Sequence, residues 1–120
     1  MSVTTSTPST EIKTDELKVE ASVLIRTAEH IARDLDQFST RIRRIPLATS
    51  RVTDIEKHLG QARRNCAEAT SIADIAQERL VESMTDRELD VHSARLRDAY
   101  ARLALADAAY LKAFEIAAAE

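Results

Sequence analysis

The chain of 120 residues has no tryptophan, two phenylalanines, two tyrosines, two prolines, one glycine and one cysteine. Each scarcity removes a class of structure. Average usage is about 7% glycine and 5% proline, and a sheet protein needs such residues at a tight turn about every ten positions. An all-helical fold is what remains. One glycine leaves no glycine-rich phosphate loop, and one cysteine leaves no zinc ribbon. Cys66 cannot form an intramolecular disulfide, so a reducing, cytoplasmic setting is expected. Charges interrupt every apolar stretch well short of the roughly eighteen residues a membrane helix requires. The first residues lack the basic start and apolar run of a cleaved signal, although export by another route stays open.

What is present is aliphatic. Hydrophobic residues make up 44% of the chain and aromatics 3%, with 17 basic against 20 acidic residues for a formal charge of −3. That balance gives no global attraction to nucleic acid or anionic lipid. Its distribution is uneven: residues 1–40 carry four basic and seven acidic side chains, 41–64 seven and two, and 65–120 six and eleven. One short basic segment stands in an acidic chain.

Residues 1–14 hold eight Ser/Thr and one Pro. They have little to bury, so they read as a disordered tail. In composition the tail resembles the unstructured N-terminal signals of type III secretion substrates. From residue 15 the spacing is regular. Leu17, Ala21, Leu24, Ala28, Ile31, Leu35, Phe38, Ile42 and Ile45 alternate steps of four and three, a heptad seam. It predicts a helix over 15–45, ended by Pro46. Ser50 is the expected N-cap of a second helix, 50–82, with the seam Val52, Ile55, Leu59, Ala62, Cys66, Ala69, Ala73, Ala76 and Leu80. Gly60 falls in its middle, and the pattern leaves open whether the helix breaks there. Thr85-Asp86-Arg87-Glu88 is a capping box. It opens a third helix, 86–119, with the seam Leu89, His92, Leu96, Ala99, Leu103, Ala106, Tyr110, Ala113 and Ala117. The two-residue slip between the second and third seams argues against one continuous long helix.

Three helices of near-equal length with short connections predict an all-α, antiparallel, up-down-up three-helix coiled-coil-like bundle over 15–120. The lengths are similar to those of spectrin-type repeats and of the N-terminal three-helix domains of syntaxins, without the tryptophans typical of spectrin repeats. That likeness is one of architecture and carries no function.

The functional expectation comes from apolar residues outside the seams. Tyr100, Leu105, Leu111, Phe114 and Ile116 in the third helix, and Val19, Val23 and Ile25 in the first, exceed what three mutual seams absorb. A helix apolar nearly all round is normally buried on more than one side. These residues are therefore the expected contact surface for a protein partner or a second copy. Arg41, Arg43, Arg44, Arg51, Lys57, Arg63 and Arg64 form the basic segment. Three of them suit a helix C-terminus, and without interleaved aromatics or a recognition motif the segment is a poor nucleic-acid site.

Enzyme chemistry finds little footing. His30, His58 and His92 fall on three different helices, and no paired Glu-x-x-His motif of a di-metal bundle is present. His92 alone points inward, as a hydrogen-bonded structural histidine. The seam position of Cys66 makes it buried and inert. The expectation is a non-enzymatic interaction or structural module that self-associates or docks into a larger assembly, with no cofactor, metal, membrane or small-molecule substrate. Two alternatives are a substrate or chaperone of a type III-like secretion apparatus, and weak nucleic-acid binding through the basic end.

Overall fold

The heptad seams become three helices, α1 (Pro8–Arg43), α2 (Thr49–Arg79) and α3 (Asp86–Ala118). This is a computed structural model, describing residues 8–81 and 84–119, with side chains from residue 12. The helices run up, down and up. Between α1 and α2, Asp36 meets Arg63 and Ser22 meets Gln77, so residue numbers fall along one helix as they rise along the other. Glu68 meets Arg102 in the same antiparallel sense between α2 and α3. Lys13 beside Asp86 at one end and Phe38 beside Tyr110 at the other make α1 and α3 parallel.

The core is the three seams. Leu24, Leu35, Ile55, Leu59 and Leu96 are its largest fully buried members, and Ala62, Ala69, Ala73, Ala76, Ala99 and Ala106 have no exposed surface. Facing alanines let α2 and α3 approach closely and gain dispersion contacts. Their interface is the most extensive in the bundle, and that between α1 and α3 the least. The radius of gyration is 19.1 Å, against about 14 Å for a compact domain of this length. The molecule is a rod three helices thick, so most of each helix keeps one side outward.

The helix ends differ from the sequence expectation in instructive ways. α1 begins at Pro8, ahead of the expected start at residue 15, since a proline in the first turn gives up an N–H that has no partner there anyway. Thr14, assigned to the tail, is 2% exposed. It lies one step of three before Leu17 and extends the seam backwards; being polar, it was invisible to a search for apolar spacing. The rest of the expected tail, residues 1–7, lies outside the described residues. At the other end α1 stops at Arg43, and the amides of Arg44 and Ile45 turn back to the carbonyls of Arg41 and Ile42. Pro46 disfavours helical geometry at the residue before it, which leaves Ile45 outside the seam and 48% exposed.

Ser50 is not the N-cap of α2. That position is Ala48, whose carbonyl accepts from the amides of Arg51 and Val52 and whose side chain caps nothing. The helix runs unbroken through Gly60 and ends at Arg79, where Leu80 turns extended. Val52, Tyr110 and Ala117, assigned to the seams, are half-buried. α3 opens on the capping box as expected, with the Thr85 hydroxyl accepting from the Glu88 amide and the Glu88 carboxylate accepting from the Thr85 amide. The Thr85 amide, and then the Thr85 hydroxyl, both donating to the Glu88 carboxylate, hold that carboxyl below the usual range.

Candidate partner interface

At 100° per residue, positions seven and eleven apart lie nearly in line along a helix. Ile12, Val19 and Val23 form such a line on α1, and all three are exposed. On α3, Tyr100, Leu111 and Phe114 fall within 60° of one another by the same rotation, on the side turned toward α1. The rings fix this orientation. Phe38 of α1 makes an edge contact with Tyr110, centroids 5.5 Å apart, and a tilted one with Phe114 at 6.1 Å. Tyr100, Leu111 and Phe114 nonetheless stay 43%, 59% and 54% exposed. A cavity of about 230 Å³ opens among Asp107, Tyr110, Leu111 and Phe114. A second, of about 500 Å³, lies at Ile12, Val19 and the acids between them.

Of the eight residues expected at a contact surface, Tyr100, Leu111 and Phe114 share the flank of α3 turned toward α1, while Val19 and Val23 are exposed on the outer side of α1 toward the opposite end of the rod, with Glu16 and Glu20 lining the groove between α1 and α3 there. The other three lie elsewhere. Ile25 and Ile116 are partly buried and pack against the core, where the broad apolar stripes of α1 and α3 absorb them. Leu105 is exposed, but it turns to the α2 side of α3, on the flank that carries Arg102 to Glu68. Ile12 adds to the exposed row of α1; the sequence hid it because it falls in the segment read as tail. Val91 and Ile75, also exposed, lie on other sides of the rod.

The basic residues do not make one patch. Arg41, Arg43 and Arg44 are exposed at the end of α1 and Arg51 is half-buried on the first turn of α2. Arg63 reaches across to Asp36 at 3.3 Å, an exposed pair of little energetic weight. Lys57 and Arg64 face away from the bundle on the outer side of α2. The cluster seen along the chain is thus divided among different directions by the helical rotation.

The titratable groups are structural in setting. His92 sits in the α3 seam between Leu89 and Leu96, 5% exposed, and its Nδ1 has no hydrogen-bond partner among the described residues, in contrast to the bonded histidine expected. Burial, then the nearby Arg95 of α3 and Arg79 of α2, lowers its pKa, with Glu88 opposing them. Cys66 is buried, and burial followed by the charge of Asp107 pushes its thiol up, the opposite of the lowered pKa that activates a nucleophile. His30 approaches Asp34 at 3.7 Å on the surface of α1. Among the described residues no group of three His, Cys, Asp or Glu side chains is placed to hold a metal, and no helix is long and apolar enough to cross a membrane.

Comparison of the chain with protein-family models, with curated proteins and with solved structures finds no match.

Proposed function

We propose that the protein is a non-enzymatic helical interaction module, acting in the cytoplasm, that takes up a protein partner on its α1/α3 face. One observation supports this above the others: Tyr100, Leu111 and Phe114 stand more than two-fifths exposed on one flank of α3, over the least extensive helix interface. Apolar residues scattered singly on a surface are ordinary. Large ones gathered along one flank are the usual mark of a contact site. Burying what remains exposed of each side chain yields about 1–2 kcal/mol, and the rings bring little rotamer entropy to lose. The cytoplasmic assignment draws on a lone buried thiol, which a reducing compartment keeps free.

The test is the triple variant Tyr100→Ser, Leu111→Gln and Phe114→Gln. Association, read as retention of cellular partners in a pull-down, falls while far-ultraviolet circular dichroism keeps its helical signal. Collapse of the helical signal would make the three residues part of the core and end the proposal.

A further inference from the structure

The outer side of α1 carries its own apolar row, at the end of the rod where α3 begins. Ile12, Glu16, Val19 and Val23 follow one another at steps of four, three and four, a heptad line turned away from the core seam of the same helix. Its three aliphatic members are 57%, 61% and 48% exposed. From Arg26 to its end at Arg43 the helix exposes no other large hydrophobic residue, so the row is confined to the N-terminal half. The charges beside it are acidic. Asp15 flanks the line on one side and Glu20 on the other, and with Glu16 they surround the depression of about 500 Å³ over Ile12 and Val19. None of these three acids makes an ion pair among the described residues. Asp90 of α3 lines the adjoining groove with Glu16 and Glu20. The bases of this stretch point elsewhere. Lys13 turns to Asp86 of α3 at 3.9 Å, and Lys18 is half-buried at the rotation of Asp36, which meets Arg63 of α2. Arg26 closes the row at its far end. The macrodipole does not account for the acids, since it acts within the first turn and they lie about two to three turns beyond the start of α1 at Pro8.

We infer that this row is the docking site for a cationic amphipathic helix of another protein, which lays an apolar stripe along Ile12, Val19 and Val23 and sets Lys or Arg side chains against Asp15, Glu16 and Glu20. Charge complementarity selects this occupant. Charges flanking an apolar heptad line decide its partner, and a polar residue within the line fixes the register. Acid in the line and on both flanks repels the same row of a second copy in either orientation, because like charges then meet. The basic stretch of α1 in a second copy brings no exposed aliphatic side chain to cover the valines. A wholly apolar helix would cover Glu16 without supplying a counter-charge, which is costly. The row lies toward the opposite end of the rod from Phe38 and Phe114, so this site is distinct from the flank of α3 and does not rest on the reading of that flank.

The experiment follows the fluorescence anisotropy of a labelled synthetic peptide of about three heptads, with Leu at the apolar positions and Lys at the others, titrated with the full chain. The wild type binds it, and binding weakens between low and high salt because the pairs are solvent-accessible and screened. The same peptide with Glu in place of Lys does not bind. Val19→Ser with Val23→Ser, at exposed positions where the helical circular dichroism is kept, weakens binding of the Lys peptide by about tenfold or more. Glu16→Lys with Glu20→Lys weakens it by at least as much and confers binding of the Glu peptide. Leu111→Asp with Phe114→Asp leaves the affinity for the Lys peptide unchanged. A wild type that does not bind the Lys peptide, or that binds both peptides equally, would overturn the inference, as would an affinity that survives loss of the two valines. Loss of binding only in the Leu111 and Phe114 variant would also overturn it and would place the cationic helix on the flank of α3, so the two readings fail separately.

Discussion

His92 is the only histidine that the fold buries, and its protonation is coupled to folding. Burial and two flanking arginines lower its pKa in the folded chain, whereas the unfolded chain titrates near the ordinary value of about 6.5. The unfolded state therefore binds the proton more readily, and stability present above that value is lost as pH falls through it toward the folded pKa. Urea midpoints measured from pH 7.5 down to 5 should decline for the wild type. His92→Leu, which fills the same seam position without a titrating group, should flatten that decline; an unchanged slope would assign the loss to other groups. The position of His92 on the inner face was legible in its spacing. Its lack of a partner for Nδ1 was not, because that depends on which side chains of α1 and α2 arrive beside it. Cys66 shows the same division. Its burial followed from the seam, while the added influence of Asp107 required the third helix to be in place.

At the scale of elements, the capping box at Thr85 was readable because all of its bonding groups lie within four residues of one another. Thr85→Ala should cost about 1 kcal/mol, measured as a lower thermal midpoint with helical content retained. The start of α1 and the first turn of α2 were less readable. Thr14 is buried one step before Leu17, where its polar side chain hides the seam from an apolar pattern, and α2 begins on Ala48 with no side-chain cap at all. The alanines of α2 make a different point. Ala69 has no exposed surface where α2 and α3 approach, so Ala69→Leu forces extra volume into a closed interface and should destabilise by about 1–3 kcal/mol in urea unfolding. Ala104→Leu on the exposed side of α3 should stay within about 0.5 kcal/mol. Equal effects at the two positions would contradict the close approach of α2 to α3.

The whole molecule is a rod in which three seams cover one another and leave the opposite sides of the helices outward. A partner contact would therefore have to use surfaces the helices leave exposed. If the flank of α3 toward α1 takes up the partner, then Leu111→Asp with Phe114→Asp should reduce partner retention in a pull-down several-fold, while Leu105→Asp on the far flank leaves it unchanged. An equal fall at Leu105 would mean that the contact is not confined to this flank. The sequence by itself determined the helical class, the number of helices, their order and nearly every core residue, because a heptad seam is a local periodicity that any covering surface satisfies and because capping groups and proline act within one turn. Only the tertiary structure decided which outward residues share a face. It gathered Tyr100, Leu111 and Phe114 on the flank of α3 toward α1, left Val19 and Val23 on the outer side of α1, drew Ile25 and Ile116 against the core, sent Leu105 to the far flank and divided the basic segment. Those outcomes depend on the rotation of each helix about its own axis relative to two neighbours, a quantity fixed by how alanines, leucines and rings interlock across the bundle and not by spacing along any one chain segment.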